Sequence, residues 1–226
     1  MGLRINDTIP DLTVETDQGS FSLHEFVGDS WAILFSHPKD FTPVCTTEFG
    51  AVAQLADEWE KRGTKVLGIS VDGVEDHKGW KKDIELVAGT KAGFPIIADN
   101  GLAVSKAFDM LPAEYYLPDN PTPNDSATVR VVYIIGPDKQ LKLSMTYPMN
   151  VGRNFAEVLR ALDGLQTAAK HGVVLPAGDV AKFHRVHVRR ESHRRDRIGC
   201  DGLVGKKGKP HGANPPANAL GGLMVP

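Results

Sequence analysis

A chain of 226 residues with 41% hydrophobic content, 24% charged residues and a formal charge of -2 can build one large domain, or one domain with an appendage. Its longest apolar runs, Trp31–Phe35 and Val131–Ile135, are too short to cross a bilayer, and the N-terminus lacks a basic segment followed by an apolar one. Two cysteines without paired spacing exclude the disulfide framework of a small secreted domain, so a cytoplasmic location is the expectation.

Ala32–Ser36 reads as a buried strand. From Cys45 onward Phe49, Val52, Ala53, Ala56 and Trp59 recur at helical spacing until Arg62 and Gly63 stop them. Lys65–Val71 is a second strand, Glu75–Ala88 a helix with Trp80, Ile84 and Val87 on one side, Phe94–Ala98 a strand and Leu102–Phe108 a short helix. Thr128–Ile135 and Leu141–Thr146 flank the turn-rich Gly136–Lys139 and read as a hairpin. Phe155, Val158, Leu159, Leu162 and Leu165 then mark a final helix. Alternating elements closed by a hairpin and a helix predict an α/β fold, a mixed sheet covered by helices.

Past Leu175 the character changes. Residues 1–175 hold 16 Lys and Arg against 24 Asp and Glu, whereas residues 176–226 hold 10 against 4. The segment after Gly178 is rich in Arg, His, Gly and Pro, offers little apolar surface to offset its ordering entropy, and is expected to be largely disordered. The expected division is a body over 1–178, with its catalytic core ending near 165, and a basic tail over 179–226.

The chemistry concentrates between Ser36 and Glu48. Cys45 falls at the predicted N-terminus of a helix, where free N–H groups and the positive end of the dipole favour a thiolate, the nucleophilic form. An unperturbed cysteine titrates near about 8.5, so activity near neutrality also calls for a cation. His37 is close in sequence; Arg130 or Arg153 has to come from elsewhere in the fold. Thr42 offers a hydroxyl to a thiolate or a peroxide oxygen, and Pro43 fixes the loop and shields the sulfur. Against this stands the bland alternative of a buried cysteine acting as a small hydrophobe.

The run Pro38-Lys39-Asp40-Phe41-Thr42-Pro43-Val44-Cys45 resembles the peroxiredoxin signature P-x-x-x-T/S-x-x-C, and SHPKDFTPVCTTEFG resembles the one-cysteine subfamily, the peroxiredoxin 6-like group. Similar stretches are GDSWAILFSHP (28–38), VLGISVD (66–72), FPIIAD (94–99), RVVYIIGPDKQLKLSMTYP (130–148) and NVGRNFAEVLRALDGLQ (150–166). The resemblance implies a thioredoxin-like fold and a thiol peroxidase without cofactor or metal. It assigns Cys45, Thr42 and Arg130 to the active site, with Pro38 and Pro43 framing the loop, Glu48 and Arg153 in support, and His37 adjoining the sulfur. It also implies a hydroperoxide substrate and a homodimer or larger homo-oligomer. Two-cysteine relatives carry a resolving cysteine where Leu175 stands here, so an external thiol such as thioredoxin or glutathione is the expected reductant.

The subfamily pattern stops at Gly178, and the tail beyond reads like the alternative-frame translation of a GC-rich gene, which sequencing the source locus would decide. Cys200 is expected to be an exposed cysteine rather than a metal ligand with His184, His187 or His193. The basic run lacks the stacking aromatics of specific nucleic-acid recognition. Gly28-Asp29-Ser30-Trp31-Ala32, with His24 and Asp138, resembles the lipase-like stretch of animal members, although Ala32 breaks G-x-S-x-G and Ser30 precedes a strand. A peroxide sensor without turnover, or a chaperone, is the alternative reading; rapid peroxide consumption with a small thiol distinguishes the enzyme.

Overall fold

The computed structural model describes residues 2–117 and 126–176. The expectations for the tail and for Cys200 therefore lie outside the described residues.

Seven strands form one mixed sheet: β1 (Thr13–Thr16), β2 (Gly19–Ser22), β3 (Trp31–Ser36), β4 (Thr64–Ser70), β5 (Ile96–Ala98), β6 (Arg130–Ile135) and β7 (Leu141–Tyr147), in the order β2-β1-β5-β4-β3-β6-β7. The centre, β3, β4 and β5, is parallel; β6 and β7 on one side and β1 and β2 on the other are antiparallel. The helices are α1 (Leu23–Val27), α2 (Pro43–Gln54), α3 (Ala56–Lys61), α4 (Val74–Ala88), α5 (Ala103–Ala107) and α6 (Phe155–His171), with a 3₁₀ turn at Ala113–Tyr116.

Strand side chains alternate between faces, so each central strand feeds two cores. Ile33, Phe35, Val132 and Ile134 pack with Phe49 of α2, Trp80 of α4 and Leu162 of α6. Ala32, Leu34, Val131 and Tyr133 pack on the other side with Leu23 and Val27 of α1 and Val104 of α5. That double burial explains why β3 and β6 read as continuous apolar runs in the sequence.

Several expected boundaries shift for visible reasons. The helix anticipated from Cys45 to Arg62 breaks at Leu55, because the Val52 carbonyl accepts the Leu55 N–H and, at 3.0 Å, the Trp59 indole N–H. Val87 is exposed instead of lying beside Trp80 and Ile84, whose inward line continues through His77 rather than Val87. The neighbouring Ala88 meets α2 at Gly50, where an added Cβ would sit 3.1 Å from the Ala88 Cβ. Strand β6 begins at Arg130 and not Thr128: the Ser36 hydroxyl accepts the Val131 N–H and donates to the Val129 carbonyl, standing in for the ladder there. The short β1, β2 and α1 lack a clear period and are absent from the sequence-based element list.

Candidate active site

Strand β3 ends at Ser36, and the loop from His37 to Thr42 crosses to α2. Thr42 is the N-cap of α2 in extended geometry, Pro43 supplies the first helical residue with its φ already set and no N–H to satisfy, and Cys45 follows in the first turn. Phe41 just before the cap has φ 59, the left-handed region disfavoured for a residue with a Cβ. Cys45 is fully buried, at 0% exposure, while Phe41, Pro43 and Val44 around it are exposed.

The cation comes from β6. Arg130 Nη1 donates to Cys45 Sγ at 3.4 Å and to Glu48 Oε2 at 2.5 Å, and its Nε donates to the Met149 carbonyl at 2.7 Å. Glu48 lies one turn beyond Cys45 on α2 and is the centre of the charge arrangement. Its carboxylate also accepts from the Arg153 backbone N–H at 2.7 Å, Nε at 2.9 Å and Nη2 at 2.8 Å. Arg153 anchors further on the Val131 carbonyl and lies over the rings of Phe35 and Phe155. Burial alone would push the Glu48 carboxyl up, but the hydrogen bonds and charge of Arg153, with the charge of Arg130, hold it below the ordinary carboxylate value. Two guanidinium groups share one carboxylate, and the donor that reaches the buried sulfur comes from Arg130.

The other expected residues are placed less directly. The Thr42 hydroxyl donates to the Lys39 carbonyl at 3.0 Å and makes no capping bond, so its proton is committed there while its lone pairs stay open. Pro38 is half-buried at the start of the loop. His37 is fully buried, stacked on Trp80 and edge-on to Phe49, with Nε2 2.6 Å from Asp40 Oδ1. It makes no hydrogen bond to Cys45; its Nδ1 is buried with no partner. The expectation that His37 adjoins the sulfur thus becomes shared membership of the Phe49–Trp80 packing, which also holds Cys45.

Sequence reasoning missed Asp40, His77, Thr46 and Thr128. Asp40 Oδ2 is 2.6 Å from His77 Nδ1, and Asp40 N–H donates to Asp72. Thr128 donates to the His37 carbonyl, and the Trp80 indole donates to Thr46. His77 stands in line with Trp80 and Ile84 on α4, a position where a buried polar group was the only available clue. His37, Asp40 and Asp72 bring ligand-type atoms within 4.8 Å of one another. Those atoms are already engaged: Asp40 with His37, and Asp72 with the Asp40 N–H and the Ser70 hydroxyl.

Ser30, His24 and Asp138 are at the far end of β3 from Cys45. Ser30 lies in the turn between α1 and β3, a helix-turn-strand order opposite to a nucleophile elbow. His24 Nε2 is 2.8 Å from the Ile9 carbonyl, and Asp138 pairs with Lys142 at 2.5 Å.

A buried cysteine at a helix N-terminus beside an arginine, on a mixed sheet of this topology, is the arrangement of a thiol-dependent peroxidase. A model described as the AhpC/TSA family matches residues 5–144. A 1-Cys peroxiredoxin of Medicago truncatula is 50% identical over 177 residues, covering 78% of this chain and 79% of the relative, and 1-Cys peroxiredoxin PER1 of Triticum aestivum is 49% identical over 177 residues, covering 78% and 79%. Among solved structures, a cysteine-to-serine mutant of the peroxiredoxin 6 of Arenicola marina superposes with a TM-score of 0.72 at 42% identity, covering 78% of this chain and 79% of that one. A yeast mitochondrial 1-Cys peroxiredoxin, described with a thiol resolving mechanism via glutathione/thioredoxin systems, gives 0.71 at 44% identity, covering 77% and 82%. The chain belongs to the AhpC/TSA family and, within it, to the one-cysteine peroxiredoxins with their thioredoxin-like fold.

Proposed function

We propose that Cys45 reduces hydrogen peroxide and organic hydroperoxides. The observation that carries this reading is the 3.4 Å contact between Arg130 Nη1 and Cys45 Sγ at the start of α2. The thiolate attacks the terminal peroxide oxygen, an S–O bond forms as the O–O bond breaks, and the departing alkoxide or hydroxide takes up a proton. Developing charge on the oxygens meets the Arg130 guanidinium and the free N–H groups of the first turn of α2. The Thr42 hydroxyl, whose proton goes to the Lys39 carbonyl, keeps lone pairs that can accept from the peroxide O–H.

Cys45 leaves this step as a sulfenic acid. Cys45 is the one cysteine among the described residues, and Leu175 occupies the place of a resolving cysteine. Two external thiols therefore complete the cycle: the first displaces water to form a mixed disulfide, and the second exchanges with it, releasing an oxidised donor and the Cys45 thiol. The yeast relative's glutathione/thioredoxin description supports donors of these two kinds.

The test is peroxide consumption with glutathione or a thioredoxin system, in wild type, Cys45→Ser and Cys200→Ser. The expected result is turnover in wild type and Cys200→Ser and none in Cys45→Ser. Wild type that oxidises once and stops at a stable mixed disulfide would make it a sensor instead.

A further inference from the structure

We propose that His77 and Asp40 are positioning residues for the peroxidase reaction: they hold His37 as the tautomer with its proton on Nε2 and keep Nδ1 as a bare proton acceptor within the packing that holds Cys45. The catalytic half of this inference rests on the peroxidase reading above.

Three hydrogen bonds in series set the proton positions. His77 Nε2 is 3.1 Å from the Ile97 carbonyl, which only accepts, so His77 Nε2 carries a proton. His77 Nδ1 and His37 Nε2 each stand 2.6 Å from one oxygen of Asp40. A carboxylate only accepts, so each of these contacts also contains a proton; His77 therefore donates from both ring nitrogens, as only the charged ring can, and its charge is balanced by the Asp40 carboxylate. Both oxygens of Asp40 are thereby occupied, His37 is protonated on Nε2, and the one ring nitrogen left open in the series is His37 Nδ1, buried without a partner. An aspartate bonded to one imidazole nitrogen dictates what the other nitrogen can do.

The surroundings keep that nitrogen bare. Burial foremost holds His37 below its ordinary imidazole value, against the opposing pull of Asp40, so a second proton is disfavoured near neutrality. The two imidazoles overcome the burial of Asp40 and hold its carboxyl below the ordinary range. The titratable groups facing His37 are Asp40 from its own loop, Asp72 after β4 and His77 of α4. Trp80 of α4 and Phe49 of α2 cover its ring, and Cys45 of α2 joins the same packing, with Arg130 and Glu48 beyond it. The same series pins the loop: Asp40 is held at both oxygens and through its N–H by Asp72, immediately before Phe41 turns in the left-handed region to begin α2.

The experiment combines 15N NMR of the histidine rings with the pH profile of single-turnover Cys45 oxidation by hydrogen peroxide, in wild type, His77→Leu and His77→Asn. Expected are the Nε2–H tautomer of His37 in wild type, mixed tautomers and about tenfold slower oxidation with a displaced pH profile in His77→Leu, and recovery of most of the rate in His77→Asn, whose Nδ2 donates from near the Nδ1 position. A folded His77→Leu with the wild-type tautomer and pH profile overturns the proposal. Should His77→Leu not fold, the near-isosteric Asp40→Asn takes its place under the same criteria. A wild-type His37 protonated on Nδ1 overturns the proposal whatever the variants do. Wild type with the Nε2–H tautomer but no peroxide consumption instead overturns the peroxidase reading, and with it only the catalytic half of this one.

Discussion

One nitrogen of Arg130 serves both Cys45 and Glu48: Nη1 is 3.4 Å from Sγ and 2.5 Å from Oε2. The guanidinium is therefore shared between a nucleophile and a permanent counter-ion one helical turn away. Glu48 fixes the arginine in place, and Arg153 on the far side of Glu48 keeps the carboxylate from neutralising it completely. Arg130→Met is expected to slow single-turnover oxidation, followed by tryptophan fluorescence, about a hundredfold, because the thiolate loses its cation and the transition state a donor. Lys139→Met serves as control, since Lys139 binds the Gly28 and Pro137 carbonyls away from the site, and should oxidise at the wild-type rate. Equal rates in Arg130→Met and wild type would remove Arg130 from the chemistry.

Glu48→Gln should destabilise the fold by about 3 kcal/mol, the range for breaking a buried pair and stranding its partner. The amide keeps the shape but leaves Arg130 and Arg153, only 3% and 8% exposed, without a counter-ion. Urea denaturation of wild type and variant measures it. A loss below about 1 kcal/mol would place the pair among the weak surface-like interactions.

Acid should weaken the fold in two stages. His37 sits below its ordinary 6.5 because of burial, while Glu48 and Asp40 sit below 4.5 and 3.8 because their partners outweigh burial. Each binds a proton less readily folded than unfolded, so its contribution is complete above the unfolded value and is lost as pH falls through the folded one. Stability should begin to fall below pH 6.5 and then more steeply below 4.5. In His37→Phe the upper stage should shrink relative to wild type; urea midpoints against pH that run parallel in both proteins would assign it to another histidine.

The central strands, the long helices and Cys45 were legible because each carries a local signal: a doubly buried run, a 3.6 period, a signature stretch. The order of the sheet was not, because β3 lies between β4 and β6, which follow it after long and unequal intervals. The site divides in the same way. Thr42 and Cys45 lie on one turn-and-helix segment and can be read from spacing, whereas Glu48 was assigned through resemblance, as were Arg130 and Arg153, which the need for a distant cation had only named as candidates. Asp40 and His77, 37 positions apart, meet where α4 packs on α2, with Trp80 against Phe49 and its indole donating to Thr46. No periodicity distinguishes His77 from the apolar residues it aligns with.

Gly68→Ala should cost about 1–3 kcal/mol and disturb the site from beneath. Gly68 is in β4, and a Cβ there would lie 2.9 Å from Cε1 of Phe49, a fully buried ring packed against Phe35, His37 and Trp80. The ring has no solvent side to move into, so the strain passes to His37. Thermal unfolding together with the oxidation rate checks it; a variant as stable and as fast as wild type would show that Phe49 has room the packing does not suggest.

Association is expected through β7. The strand closes one side of the sheet, with β6 on its inner flank; the N-terminal segment covers its start, where Leu141 exchanges backbone hydrogen bonds with Asn6 and Asp7, and the open row of backbone groups runs over the rest of the strand to Tyr147. That remaining edge is left exposed to another chain unless something covers it, and pairing with the same edge of a second copy about a two-fold axis satisfies both rows at once. The tail after Gly178 has little apolar surface to add to such a contact, so the main-chain bonds of the edge should set its strength. Sedimentation equilibrium of the full chain and of a chain lacking residues 180–226 should therefore return dimer constants within about threefold of each other, with dissociation on dilution in both and peroxidase activity retained. A truncated chain that is monomeric where the full chain is a tight dimer would show that the tail, not the β7 edge, holds the two copies together.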